Sequence, residues 1–358
     1  MHRVAEGGEC CDQSRPERTW RIPPFFNTFP LKSRRNRIIN RFLARNSTIV
    51  SIRSREHLCS GEAIMHTVRP NDLHIEDACV VGGASGYLTI DLGALSRNYE
   101  LLAGMAAPGN TAAVVKADAY GLGAERVART LYAKGCRHFF VAQFIEATRL
   151  RPALSYDARI FVLNGLQPGN EDVCAYENIV PVINSMDQWR NRNRTARRLG
   201  RRLPIVVQFD TGMSRLGLPP EERPLLAEAV AQGSDVDILF LMSHLASADD
   251  EKSAQNGEQL EELRKIAAEF PGYDLSFANS GGIFLGDDYR GLLARPGIAL
   301  YGGAPSAARN PMEAVVRLDV AVVQTRTVPG STKVGYGGAH VTTRETRLAT
   351  IAAGECDV

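Results

Sequence analysis

TAAVVKADAYGLG, from Thr111 to Gly123, is an apolar run that ends on Lys116 and gives way to a turn of small residues. No polar side chain interrupts Ala112 to Val115, the pattern of a strand covered on both faces. Further runs of the same kind follow: HFFVAQF, ARIFVLN, NIVPVIN, PIVVQFD, VDILFLMS, DLSFANS and LLARPGIAL. Between them, Gly123–Gly135, Met186–Leu199, Glu221–Gln232 and Lys252–Phe270 carry apolar residues at helical spacing. Buried strands alternating with helices imply a parallel sheet, and the number of units predicts an α/β chain of the (β/α)8 TIM-like barrel class. The rival is an open doubly wound sheet. It requires a G-x-G-x-x-G turn after its first strand, and KADAYGLG is not that turn.

Outside this region the texture changes. The segment 1–64 is rich in arginine (Arg34, Arg35, Arg37, Arg41, Arg45, Arg53, Arg55) and has no sustained period, so it is expected to be a disordered or artefactual extension, with Met65 as the natural start. Residues 65–310 are assigned to the barrel with a lead-in strand. Beyond it, Val315–Val328 is β-rich, Pro329-Gly330 is a turn signal, and Arg347–Ala353 reads as another strand. Residues 311–358 are therefore expected to open a C-terminal β domain that is incomplete.

Of 358 residues 44% are hydrophobic, enough for a substantial core, and 42 basic side chains nearly cancel 40 acidic ones. That balance argues against nucleic acid or an anionic membrane as the main partner. No apolar run is long enough to span a bilayer. The seven cysteines are scattered, with no C-x-x-C spacing, which points to reduced thiols in a cytoplasmic protein and to no metal site.

The polar residues fall where each strand ends. Lys116 closes TAAVV; Asp210 and Arg215 follow IVVQF; His244 follows ILFLMS; Asn279 and Ser280 follow LSFA; Arg295 to Ile298 come late in the last unit. A barrel builds its active site at that end. From position alone, Lys116 is equally well read as a lysine snorkelling at a strand mouth or as a Schiff-base nucleophile made reactive by desolvation. His244 alone reads as a structural histidine; for Arg295, half of a surface ion pair is the weaker reading, given the neighbouring Pro296-Gly297.

AVVKADAYGLG resembles the pyridoxal-lysine signature of alanine racemases, and FDTGMSRLG, SHLASADDE, FANSGG, RPGIALYG and VGYGG recur in that family's order, so the likeness runs from Tyr87 to Gly354. The resemblance implies pyridoxal 5'-phosphate as cofactor, L- and D-alanine as substrates, a homodimer, and a role in supplying peptidoglycan precursors. By the same resemblance Lys116 carries the cofactor and is the base on the D-face of the substrate. Tyr120, Ser280 and the backbone of Gly297 and Ile298 form the phosphate cradle, and Leu163 is part of the pocket wall. His244 and Arg295 form a hydrogen-bonded pair beneath the cofactor, and Arg215 braces its phenolic oxygen. Asp210 is expected to hold its own loop. Gln208 stands where many of these racemases carry a carbamylated lysine; it is expected to accept a hydrogen bond from Arg215 instead.

The likeness breaks at one place. The family's second base is a tyrosine in a segment resembling TIAAGYADG, whereas this chain reads Thr350 to Val358 as TIAAGECDV, with Glu355 at the tyrosine's place. A truncated C-terminal domain and weak or absent racemisation are therefore expected. A non-catalytic pyridoxal-phosphate-binding barrel and a barrel-type amino-acid decarboxylase are the alternatives. Such decarboxylases usually place an acidic residue at the pyridine nitrogen, so Arg295 speaks against the second.

Overall fold

The computed structural model describes residues 86–306 and 310–352; the readings of 1–64 and of Glu355 lie outside them. The chain divides into two compact units that part between Ala321 and Val322.

The first unit is built on short strands: β1 (Gly86–Ile90), β2 (Asn110–Thr111), β3 (Ala113–Val114), β4 (His138–Val141), β5 (Arg159–Val162), β6 (Ile179–Ile183), β7 (Leu203–Gln208), β8 (Val236–Met242), β9 (Leu275–Ser276), β10 (Leu293–Ala294) and β11 (Val316–Val320). Strands β3 to β9 lie side by side in sequence order in one parallel sheet. Strand β2, one residue upstream of β3, pairs in parallel with β10, Asn110 opposite Leu293 and Thr111 opposite Ala294. The Asn110, Ala112 and Val114 amides donate in succession to the Leu292, Ala294 and Pro296 carbonyls. Thus β2 and β3 act as one strand between β10 and β4. The Leu292 and Arg295 amides donate in turn to the Leu275 and Ala278 carbonyls, which completes the ring. The expected barrel is present.

Side-chain alternation then decides what fills it. Ala112, Val114, Phe140, Phe161, Val180, Val182, Val206, Phe240, Met242 and Leu293 point inward and form one cluster. Phe140 and Phe161 stack with centroids 4.6 Å apart at 16°, so the interior is packed. Their neighbours Ala113, Phe139, Val141, Ile160 and Val162 point outward and pack under the helices. Helix Met186–Leu199 begins and ends as its sequence predicts: the Ser185 side chain accepts from the Gln188 amide, and Gly200 closes the helix in the left-handed region. The lead-in strand β1 pairs antiparallel with β11, Gly86 opposite Val320 and Ile90 opposite Val316.

The second unit contains β12 (Val322–Val328), β13 (Lys333–Val334), β14 (His340–Val341) and β15 (Thr346–Ile351). Strand β12 pairs antiparallel with β15, and β13 with β14. Nearly every residue of β12 is exposed. Buried Thr342 pins the turn, its hydroxyl donating to the Pro329 carbonyl at 2.8 Å and accepting from the Thr332 amide at 3.0 Å. Among the described residues no helix is long and apolar enough to cross a membrane.

Candidate active site

Every expected site residue of the barrel stands at the C-terminal end of a strand. Lys116 lies two residues past β3, Leu163 one past β5, Arg215 in the loop after β7, His244 two past β8, Ser280 four past β9, and Arg295 directly after β10. The ladder continues beyond the named strands, with the Val115, Leu163, Phe209 and Ser243 amides donating to the Phe140, Val141, Met242 and Ser276 carbonyls. That shared register brings these side chains to one level.

Arg295 is buried, 3% exposed, and no carboxylate among the described residues reaches it. Its guanidinium donates to the Ser276 hydroxyl and to the Ser243 and Phe277 carbonyls. Burial pushes its pKa down to about 9, which still leaves it cationic at neutral pH. His244 is pushed down to about 3 by burial and then by Arg295, Arg215 and Lys116, so it is neutral. Lys116 is lowered by burial and by Arg215, with Glu146 acting against both. Four basic groups thus share one barrel mouth.

Two expected contacts are absent. His244 and Arg295 make no hydrogen bond; strand-end carbonyls and a serine sit closer and take the guanidinium's donors. Gln208 does not accept from Arg215, which is exposed; its amide nitrogen donates to the Leu216 carbonyl at 3.2 Å. Asp210 acts as expected, its Oδ1 accepting from the Gly212, Met213 and Ser214 amides at 2.9, 3.0 and 3.1 Å.

Tyr120, Gly297 and Ser280 converge. The Tyr120 hydroxyl lies so near Gly297 that a Cβ there would stand 2.3 Å from it. That hydroxyl makes no hydrogen bond to any described residue. The Ser280 Oγ accepts from the Gly297 and Ala299 amides at 2.9 and 3.2 Å, so the Gly297 amide is engaged by the serine. Leu163 packs on the inward cluster, and its carbonyl accepts from the Asn184 side chain at 2.9 Å.

Two residues received no role from the sequence. Tyr301 is buried, its hydroxyl donating to the Val114 carbonyl at 2.9 Å and its ring 4.9 Å from that of Tyr120. It lies inside RPGIALYG, but nothing in that motif tells a strut from a ligand. Glu146 bonds to the loop after Lys116; its one signal is the Gln143-x-x-Glu146 spacing of a helix capping box.

A barrel with a lysine-centred, carboxylate-poor mouth defines a class of enzyme that holds an anionic cofactor at its strand ends. The comparisons give the family. Residues 90–305 match the alanine racemase N-terminal domain and 315–357 the alanine racemase C-terminal domain. A catabolic alanine racemase of Rhizobium johnstonii is 71% identical over 281 residues, 78% of this chain and 74% of that one. A catabolic alanine racemase of Agrobacterium fabrum is 58% identical over 287 residues, 80% and 74% of the two chains. The crystal structure of alanine racemase from Bartonella henselae with covalently bound pyridoxal phosphate superposes with a TM-score of 0.70 at 40% identity, covering 75% of each chain. The chain belongs to the alanine racemase family, a family of isomerases.

Proposed function

We propose that this chain acts on alanine with pyridoxal phosphate held on Lys116. One observation carries the reading: Arg295 is buried at the strand ends without a carboxylate, in the mouth that holds Lys116. When bound, the cofactor supplies an aldehyde for covalent capture of amino groups and a ring that draws electrons from the substrate's Cα. The residues fit such a group. Tyr120 has a hydroxyl without a partner among the described residues, and only glycine fits opposite it. The Ser280 oxygen already accepts from two amides, so its proton is free to donate to a phosphate oxygen. The turn Gly297-Ile298 completes the cradle, Leu163 walls it, and Arg215 braces the phenolic side.

Arg295 sets the chemistry. A guanidinium can only donate, so Arg295 would leave a pyridine nitrogen placed against it unprotonated, and such a ring would withdraw electrons less strongly than a pyridinium. That favours prompt return of a proton to Cα over transamination, and it disfavours the decarboxylase reading. His244, neutral beside these cations, does not exchange protons with the substrate. Lys116, with its pKa lowered by burial and Arg215, presents more free amine at neutral pH and takes the proton from the D-face.

The opposite face is where this sequence departs. Glu355 stands at the position of the second base, and an ordinary carboxylate, with a pKa of about 4.3, is a far weaker base than a tyrosinate, with a pKa of about 10. Racemisation by the chain is therefore feeble, while exchange on the D-face persists. The names of the two relatives favour a catabolic role over the peptidoglycan supply that the resemblance implied; buried free thiols at Cys136 and Cys174 support a cytoplasmic setting. The cofactor site is tested by borohydride reduction with added pyridoxal phosphate, followed by peptide mapping. A pyridoxyl group on Lys116 is expected; its appearance elsewhere, or nowhere, defeats the reading.

A further inference from the structure

Lys116 is followed by four residues in succession with left-handed backbone: Ala117 (φ 52°), Asp118 (54°), Ala119 (55°) and Tyr120 (58°). None is glycine, and each such residue costs about 1–2 kcal/mol. A run of this kind persists only where its surroundings impose it. Its middle and end are held by the Ala119 amide on the Val115 carbonyl, by Asp118 Oδ1 accepting from the Ala124 amide at 2.7 Å, and by the Tyr120 ring against Tyr301. Its first residue is held by a side chain from the next barrel unit. Glu146, in helix Phe144–Leu150, accepts the Ala117 amide on Oε1 at 2.5 Å and the Ala142 and Gln143 amides on Oε2 at 2.8 and 2.7 Å.

The Gln143 bond belongs to a capping box, which would stabilise the helix whatever Lys116 does. The Ala117 bond does not belong to it. One carboxylate thereby ties the peptide just after the lysine to the end of β4. We infer that Glu146 is the positioning residue of Lys116: it fixes where the lysine's backbone leaves the barrel and sets an anion beside an amine that otherwise faces the Arg215 cation. The inference rests on the reading of Lys116 as the cofactor lysine. The groups facing that amine are Arg215 and His244 from the loops after β7 and β8, the Tyr120 ring with its centroid 5.9 Å from Nζ, and Glu146. Glu146 is the only anion among them.

Glu146→Gln separates this role from simple capping. A glutamine has one acceptor oxygen, which the Ala142 and Gln143 amides retain, and its NH2 then confronts the Ala117 amide. In the cofactor-free protein, exchange of the Ala117 amide is expected to speed at least tenfold. The pH midpoint for acetylation of Lys116 by acetic anhydride, followed by peptide mass, is expected to move down, because the charge that favours the ammonium form is gone. The midpoint of Lys134, paired with Glu100 at 2.8 Å, stays in place. Glu146→Asp keeps the charge but loses reach, so it speeds Ala117 exchange and moves the Lys116 midpoint less; it serves if the glutamine variant does not fold. A folded variant with both readouts unchanged overturns the inference. Borohydride mapping of the unsubstituted protein reports separately: a pyridoxyl group away from Lys116 defeats the underlying reading, whereas one on Lys116 with unmoved readouts defeats only the role of Glu146.

Discussion

Gly297→Ala is the sharpest test of the cradle geometry. A Cβ at this position meets the Tyr120 hydroxyl oxygen at 2.3 Å, Tyr120 Cζ at 3.2 Å and Val114 Cβ at 3.6 Å. Only the first distance is prohibitive, and it involves an atom that can be deleted. The backbone of Gly297 has φ −119°, so no left-handed strain adds to the cost. Overpacking of this kind destabilises by about 1–3 kcal/mol. For a unit of this size that is a fall in Tm of roughly 2–12 °C, taking about 2–4 °C per kcal/mol. Tyr120→Phe removes the obstructing oxygen at little expense, because that hydroxyl has no partner among the described residues. The nearest contact of the new Cβ then becomes the 3.2 Å one to Cζ, which a few tenths of an ångström relieve. The prediction is a coupling: Gly297→Ala costs several degrees in the native background and little in the Tyr120→Phe background. Any intrinsic alanine-for-glycine effect cancels in the cycle. Thermal unfolding followed by circular dichroism measures it. Equal losses in the two backgrounds would refute the placement of Tyr120 over Gly297 and the cradle built on it.

Tyr120→Phe should weaken pyridoxal phosphate binding about ten- to a hundredfold, the loss expected for one hydrogen bond to a charged group, and a fluorescence titration returning native affinity removes the tyrosine from the cradle. D-alanine incubated with the loaded chain in D2O should exchange its Cα hydrogen while keeping its configuration, as one base on one face requires. Rapid inversion shows that a second base is at work, and no exchange makes the chain a cofactor-binding barrel without turnover. His244 and His138 are held neutral, near 3 and near 4, chiefly by burial. The unfolded chain binds protons below about pH 6.5 that the folded chain refuses, so their contribution falls by about 1.4 kcal/mol per pH unit for each histidine as pH drops from there, toward 4 for His138 and toward 3 for His244. His138→Gln should flatten that slope by one proton in urea titrations, and an unchanged slope shows that His138 titrates normally. Phe161→Ala, at the centre of the stack with Phe140 and Phe240, should cost about 3–5 kcal/mol; a loss under 1 kcal/mol would mean an interior less closely packed than described.

The barrel was legible because its strands are buried on both faces. Uninterrupted runs such as HFFV and RIFV, at regular spacing, leave few alternatives. The site was legible in outline for a related reason: when each strand ends on a polar residue, the fold itself gathers those residues at one rim. What could not be read was which neighbour each would choose. Arg295 and His244 were expected to bond, yet a guanidinium with five donors at a barrel mouth is surrounded by strand-end carbonyls that no sequence motif records. The same holds for Gln208, which turns to the Leu216 carbonyl.

The lysine loop shows the limit most clearly. Alanine and tyrosine are poor choices for left-handed backbone and only Asp118 tolerates it, so local preference at Ala117 to Tyr120 argues against the conformation found. Only the glycines Gly121 and Gly123 hint at a tight path. The conformation is imposed largely from outside, by a carboxylate at its start and an aromatic ring against its end, and those partners lie 25 or more residues away at Glu146 and Tyr301. A segment whose own preferences oppose its structure is held by tertiary contacts, and such contacts are justified where a reactive group must be aimed. On the proposed reading of Lys116, the strain beside it marks the same site as the lysine does, and the anchoring residues, rather than the loop's own sequence, set the aim of the amine.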